Sequence, residues 1–266
     1  MSRNNLCVCG SGKKQKRCHS DINPDSRAGK LLQIYSHVDE ITKSFEYEKN
    51  HPCKKGCSSC CYHNFSITDI EFKLILRELS NWPMEDVFKL KEEIESITNI
   101  IQRNFPDFFL TLEKDGTGKS LDLMLKQTSN STFDIPCPFL EVNKGTCKIY
   151  DTRPMICRLH GTTFYEKYEF TICENIPSNI ENGKEVADVT SLKDEMDQTL
   201  IKFGDKVFMN RPYPIFYWFK IYFDSIGTRL SDGVSISNES RDFKLHSRIG
   251  ERELIHSIFG KYPEQI

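Results

Sequence analysis

The chain has 266 residues, a formal net charge of −2 and 38% hydrophobic residues. That length holds one large domain, or a domain plus a small module. The slightly acidic balance argues against a general nucleic-acid binder, and no stretch reaches the roughly 18 uninterrupted apolar residues of a membrane span. Eleven cysteines, an odd number, follow an N-terminus without an apolar leader segment. This argues for thiols in a reducing cytoplasm rather than for disulfides.

Residues 1–21 are small, basic and glycine-containing, too short to build a core without a metal. Asn23-Pro24-Asp25-Ser26 reads as a helix start. Leu31, Ile34, Val38, Ile41 and Phe45 then recur at spacings of three and four, predicting a helix over 27–49 that His51-Pro52 ends. Ser66 and Thr68 offer N-caps to a helix carrying Phe72, Ile75, Leu76 and Leu79, which Asn81-Trp82-Pro83 breaks. Val87, Leu90, Ile94, Ile97 and Ile101 mark a helix over 84–104, and a further one is predicted over 108–128, weakened at Gly116 and Gly118.

From Ile135 the texture changes to short pieces with Pro and Gly, as expected for turns and small strands around cysteines. Residues 162–172 alternate as a strand pair would, and 189–209 reads as helical. Seven aromatics crowd between Tyr213 and Phe223, with only Arg211 and Lys220 near them. They therefore read as a core helix or strand rather than as a base-stacking surface. Residues 231–240 are loop-like, and a last short helix is expected over 250–259. The fold class is mainly α with short β segments.

The cysteines fall in three groups. The first is Leu6-Cys7-Val8-Cys9-Gly10-Ser11-Gly12-Lys13-Lys14-Gln15-Lys16-Arg17-Cys18-His19. Cys7, Cys9, Cys18 and His19 supply three thiolates and one imidazole, a donor set for tetrahedral zinc. Gly10 and Gly12 suit the sharp reversal between the two halves, and the lysine–arginine run offsets the net negative charge of the complex. A phosphate loop is excluded, because Cys7 stands where its first glycine belongs and no Ser or Thr follows Lys13. The segment resembles the SEC-C motif, the zinc-binding tail described on the bacterial preprotein-translocase ATPase. The resemblance implies a partner-binding knob, so a protein partner is expected through this module.

The second group is Cys53, Cys57, Cys60 and Cys61; the third is Cys137, Cys147, Cys157 and Cys173. The third lies in a Cys137-Pro138-Phe139-Leu140 block followed by Tyr150-x-x-Arg153-Pro154-x-x-Cys157-Arg158. Eight thiols suit one four-iron, four-sulfur cluster with spares, or two tetrahedral sites, and thiolates alone do not separate zinc from iron–sulfur. Arg153 and Arg158 stand where they could offset thiolate charge, or where Arg153 could anchor a turn with Pro154. His51, His63 and His160 flank cysteines and could be alternative ligands, although a solvated loop histidine is the commoner case. The spacing Cys53-x3-Cys57-x2-Cys60 is also that of radical-SAM enzymes, but Ser59 replaces the usual aromatic and the flanks look helical rather than barrel-like.

Together these blocks resemble the YkgJ-type cysteine-cluster family, over about 52–173, with 75 residues between Cys61 and Cys137. The resemblance implies a zinc- or iron-chelating domain. Some relatives are flagellin lysine N-methylases, so an iron–sulfur-dependent protein lysine N-methylase stands as the enzyme alternative to a structural or redox metal site. Metal chelation or storage is a third reading. The expected organisation is a zinc module over 1–21, a connecting helix over 22–50, a metal-stapled cysteine-cluster domain over 51–230 with a helical insertion at about 66–128, and a C-terminal loop and short helix over 231–266.

Overall fold

The computed structural model describes residues 4–44, 56–113, 134–161, 163–164, 173, 187–204, 206–207 and 212–227. In chain order the helices are α1 (Gln15–Cys18), α2 (Arg27–Ser44), α3 (Asp69–Leu79), α4 (Met84–Asn104), α5 (Pro106–Glu113), α6 (Met155–Leu159), α7 (Lys193–Leu200) and α8 (Ile215–Gly227). Two-residue strands accompany them: β1 (Ser66–Ile67), β2 (Leu140–Glu141), β3 (Thr146–Cys147), β4 (Thr163–Phe164), β5 (Ala187–Asp188), β6 (Lys202–Phe203), β7 (Lys206–Val207) and β8 (Tyr213–Pro214). The fold is mostly helical with few short strands. None of the described helices is long and apolar enough to cross a membrane.

The chain forms two compact units that interleave along the sequence. One is built from described residues of 4–60 and 153–207, the other from described residues of 61–152 and 212–227.

The first unit is organised on α2. Its start is capped as the sequence predicts: Gly29 N donates to Ser26 Oγ at 3.2 Å, and Ser26 Oγ donates to Asn23 O at 2.6 Å. Gly29 has no alternative here, because a Cβ would strike the backbone carbonyls of Asn23 and Pro24. Ala28, Leu31, Leu32, Ile34, Tyr35 and Val38 are buried on the helix, and α6, α7 and β5 pack against it. Arg27 is buried too; its Nε and Nη2 donate to Thr199 O at 2.7 Å and Leu200 O at 2.6 Å, satisfying carbonyls that the end of α7 leaves open.

The second unit has an aromatic core. Phe216 and Tyr217 of α8 cluster with Ile101 of α4 and with Phe109 and Leu112 of α5. Trp218 donates from Nε1 to Ile67 O at 2.8 Å, while its ring stacks on Phe72 of α3 with centroids 5.6 Å apart. Beneath α3 lies a capping box: Glu71 Oε2 accepts from Thr68 N at 2.7 Å. Phe139, from the Cys-Pro-Phe-Leu block, is buried edge-on against Trp82 and tilted against Phe219. The aromatic run is thus a core helix entered through a short strand, β8, which pairs antiparallel with β1.

Three expected elements differ. The helix expected over 189–209 is a 3₁₀ turn at Thr190–Leu192 followed by α7, and it stops at Leu200. Beyond it β6 and β7 pair antiparallel around Gly204, whose φ of +63° suits a two-residue hairpin turn and would not suit a continuing helix. The strand Thr163–Phe164 pairs in parallel with Ala187–Asp188, while the rest of the strand pair expected over 162–172 lies outside the described residues. The helix expected from 108 starts at Pro106, where proline needs no helical donor. Residues 114–133, the tail at 231–240 and the helix expected over 250–259 lie outside the described residues, as do the last residues of the helix expected over 27–49.

Candidate metal centre

The N-terminal loop closes on itself through its backbone. Leu6 and Lys14 form an antiparallel bridge, Cys7 N donates to Lys13 O at 2.8 Å and Gln15 N donates to Asn5 O at 2.9 Å. The reversal between these strands passes through Gly10 and Gly12, with φ of +72° and +70°, the left-handed region that glycine enters at little cost. Gln15 then sews down the exit, donating from Nε2 to His19 O at 2.5 Å and Ile22 O at 3.0 Å.

That closure brings four ligand atoms into one place. The thiols of Cys7, Cys9 and Cys18 and a ring nitrogen of His19 all lie within 4.8 Å of one another. His19 Nδ1 is 3.2 Å from Cys7 Sγ and 3.3 Å from Cys18 Sγ, and Cys9 Sγ is 3.5 Å from Cys18 Sγ. A tetrahedral zinc with three sulfurs and one nitrogen has edges of roughly 3.5–3.8 Å. The donor set and its spacing fit that ion. Ser11 Oγ stands 3.3 Å from Cys18 Sγ, and Ser11 is a supporting contact that cysteine spacing alone does not reveal.

The thiols are electrostatically unequal. Burial pushes the Cys7 thiol up to about 12. For Cys9 burial also works upward, but hydrogen bonds from His19, Ser11 and Cys7 outweigh it and bring the thiol down to about 5. Around the loop Lys13, Lys14, Lys16 and Arg17 are exposed, and Leu6 is 68% exposed beside them.

The second and third cysteine groups are placed differently. Among the described residues no set of three or more ligand-type side chains gathers as the N-terminal four do. Cys57, Cys60, Cys157 and Cys173 belong to the first compact unit, Cys61, Cys137 and Cys147 to the second, and Cys53 lies outside the described residues. Within the second unit Cys137 N donates to Cys61 O at 2.8 Å, which ties the Cys-Pro-Phe-Leu block to Cys61 of the second cysteine group. Cys147 sits in β3, opposite Leu140 of β2. Cys60 and Cys61 occupy a 3₁₀ turn at Ser59–Tyr62. In the first unit Cys157 is the middle residue of α6, and Cys173 is buried. Of the histidines, His63 stacks on Phe65, His160 is buried rather than solvated as expected because it closes α6 inside the unit, and His51 lies outside the described residues.

The arginines beside Cys157 are engaged from α2. Arg158 Nη1 donates to Asp39 Oδ2 at 2.6 Å, and Arg153 Nη2 lies 3.6 Å from Asp39 Oδ1. Asp39 and Tyr35 were invisible as site residues, since an amphipathic helix pattern gives no hint of what its polar positions meet.

Residues 52–176 match the CxxCxxCC family. It is described as a "Putative zinc- or iron-chelating domain". Residues 3–21 match the SEC-C motif. The SEC-C match contains all four converging ligands, and the CxxCxxCC match contains all eight cysteines of the second and third groups. Comparisons with curated proteins and with solved structures return no match. The chain therefore carries the features of a metal-binding protein at two places, one with its donors assembled.

Proposed function

We propose that this is a metal-binding protein with two centres of different kind. The SEC-C knuckle holds one zinc through Cys7, Cys9, Cys18 and His19. The CxxCxxCC segment holds a second, thiolate-ligated centre, an iron–sulfur cluster or zinc, drawn from Cys53, Cys57, Cys60, Cys61, Cys137, Cys147, Cys157 and Cys173. The single observation that carries the reading is the convergence of three thiols and one imidazole within 4.8 Å, a geometry that only a cation makes favourable once the thiols ionise. The role of the second centre is structural or redox, in a reducing cytoplasm. The knuckle offers a protein partner exposed Leu6 beside an exposed basic run. The lysine-methylase alternative draws no support from the described residues.

The deciding experiment is metal and acid-labile sulfide analysis of anaerobically purified protein, with its visible spectrum. About one zinc with roughly four iron and four sulfide per chain supports a zinc knuckle beside an iron–sulfur centre. Two or three zinc without sulfide makes the second centre a zinc site. A metal-free protein that takes up no zinc overturns the reading.

A further inference from the structure

The three knuckle thiols differ in what can reach them. Cys9, on the incoming arm, and Cys18, the last residue of α1, bring their Sγ atoms to 3.5 Å. Closing that gap to a disulfide of about 2.05 Å asks for about 1.5 Å of movement, within reach of side-chain rotation. Both cysteines are partly exposed, and Gly10, Ser11 and Gly12 beside them are exposed, so a small solute reaches the pair from solvent. Cys7 is 5% exposed, and its backbone is pinned by the bond to Lys13 O. Exposed Lys13, Lys14, Lys16 and Arg17 make the surroundings electropositive, the setting in which cysteines react.

We propose that the knuckle is a redox switch as well as a zinc site: a hydroperoxide oxidises Cys9 and Cys18 to a disulfide, and the ion is released. The proposal rests on the zinc reading of the knuckle given above. Cysteines that ligate zinc are thiolates. One thiolate sulfur of the pair attacks the peroxide: an S–O bond forms, the O–O bond breaks and hydroxide leaves, giving a sulfenic acid. The facing thiolate attacks that sulfur, forming the S–S bond and expelling the second oxygen as hydroxide. Both hydroxides take protons from solvent and become water. The two electrons lost by the sulfurs are those gained by the peroxide. Cys7 and His19 are then the ligands left, too few for a tetrahedral site. A dithiol reductant with fresh zinc restores the knuckle, and transient disulfides of this kind serve redox sensing in reducing compartments.

The test uses the full chain, reduced and loaded with zinc, then titrated with hydrogen peroxide. Released zinc is read with a chromophoric chelator. Disulfides are mapped by mass spectrometry after alkylation of free thiols and tryptic cleavage. Trypsin cuts after Lys13 and Arg17, so Cys9 and Cys18 fall on separate peptides, and alkylation of Cys7 shows which cysteine of its peptide is linked. The expected result is loss of about one zinc per chain together with a Cys9–Cys18 link, both reversed by dithiol and zinc. Cys9→His keeps four ligands but leaves Cys18 without its thiol partner, whereas Cys7→His keeps the pair. The CxxCxxCC segment is the same in these chains, so differences in zinc released isolate the knuckle. Cys7→His and the unaltered chain should each release about one zinc per chain more than Cys9→His does. Equal release from all three overturns the proposal, as does a link through Cys7 or zinc retained under peroxide. Should Cys9→His bind no knuckle zinc, the map of the unaltered chain decides alone: a Cys9–Cys18 link formed with zinc loss supports the switch, and its absence overturns it. A knuckle that holds no zinc before peroxide is added fells the zinc reading, and the proposal with it.

Discussion

The two cysteine regions of this chain spread their ligand-type residues over very different stretches of sequence. In the knuckle four donors lie between residues 7 and 19, and a bridge at Leu6 and Lys14, two glycines and a short helix suffice to bring them within 4.8 Å. In the CxxCxxCC segment the cysteines run from 53 to 173 and are distributed over two compact units. Local backbone hydrogen bonds can close the first kind of site. In the second, each cysteine-bearing element is held within its own unit: α6 by the Arg158–Asp39 contact, the Cys137 loop by the buried Phe139, and Cys147 by its antiparallel strand pair.

Ligand removal breaks the comparison most sharply. Cys7→Ser is expected to lose the knuckle metal, about one zinc per chain, and to keep the rest. Cys157→Ser is expected to lose metal from the CxxCxxCC segment while the knuckle zinc stays, both read by elemental analysis. Equal loss of both metals in each variant would sink the division into two centres.

A core change in the second unit comes next. Trp218→Ala removes a ring that is 1% exposed and stacked on Phe72. The expected cost is about 3–5 kcal/mol, read as a lower denaturant midpoint, with the knuckle's zinc affinity unmoved.

The two knuckle glycines then sharpen how local the first site is. Both need positive φ, which costs a residue with a Cβ roughly 1–2 kcal/mol. At Gly12 the added methyl meets open space, whereas at Gly10 it collides with Ser36 Oγ on α2. Gly10→Ala should therefore lower zinc affinity in a chelator competition more than Gly12→Ala does. Equal losses would show that the knuckle does not lean on α2.

pH tests the unequal thiols. Cys9, brought down to about 5, is already a thiolate at neutral pH, while Cys7, pushed up to about 12, is still a thiol. Each zinc bound must displace the Cys7 proton, so affinity should rise with pH by at least about tenfold per unit through the neutral range. It should fall more steeply below about 5, where Cys9 also takes up a proton. A buffer-dependent binding enthalpy in calorimetry reads the same proton. The smallest effect expected is from Glu71→Ala, which opens the capping box of α3; about 1 kcal/mol of stability and no metal should be lost.

What could be read in the sequence follows the same local–distant divide. The span of α4 was legible because Pro83 and an uninterrupted apolar stripe bound it, and the knuckle donors were legible because their spacing alone implies a turn. The helix expected over 189–209 misled because Ile201, Phe203 and Val207 continue an apolar pattern that the positive φ at Gly204 turns into a hairpin. Asp39 was illegible for a different reason. Its partners lie more than a hundred residues away, and a polar residue on an amphipathic helix reads as solvated until the fold shows what covers it.

The contact between Gly10 and Ser36 bears on how such knuckles move between proteins. A zinc loop that folds by its own hydrogen bonds looks like a cassette, ready to be spliced onto any host. Here the cassette has a seat, and the seat is a side chain on the neighbouring helix. A chimera that transplants residues 3–21 without the Ser36 face of α2 would carry its ion but lose its docking, and one that keeps the helix alone would leave a notch shaped for a glycine.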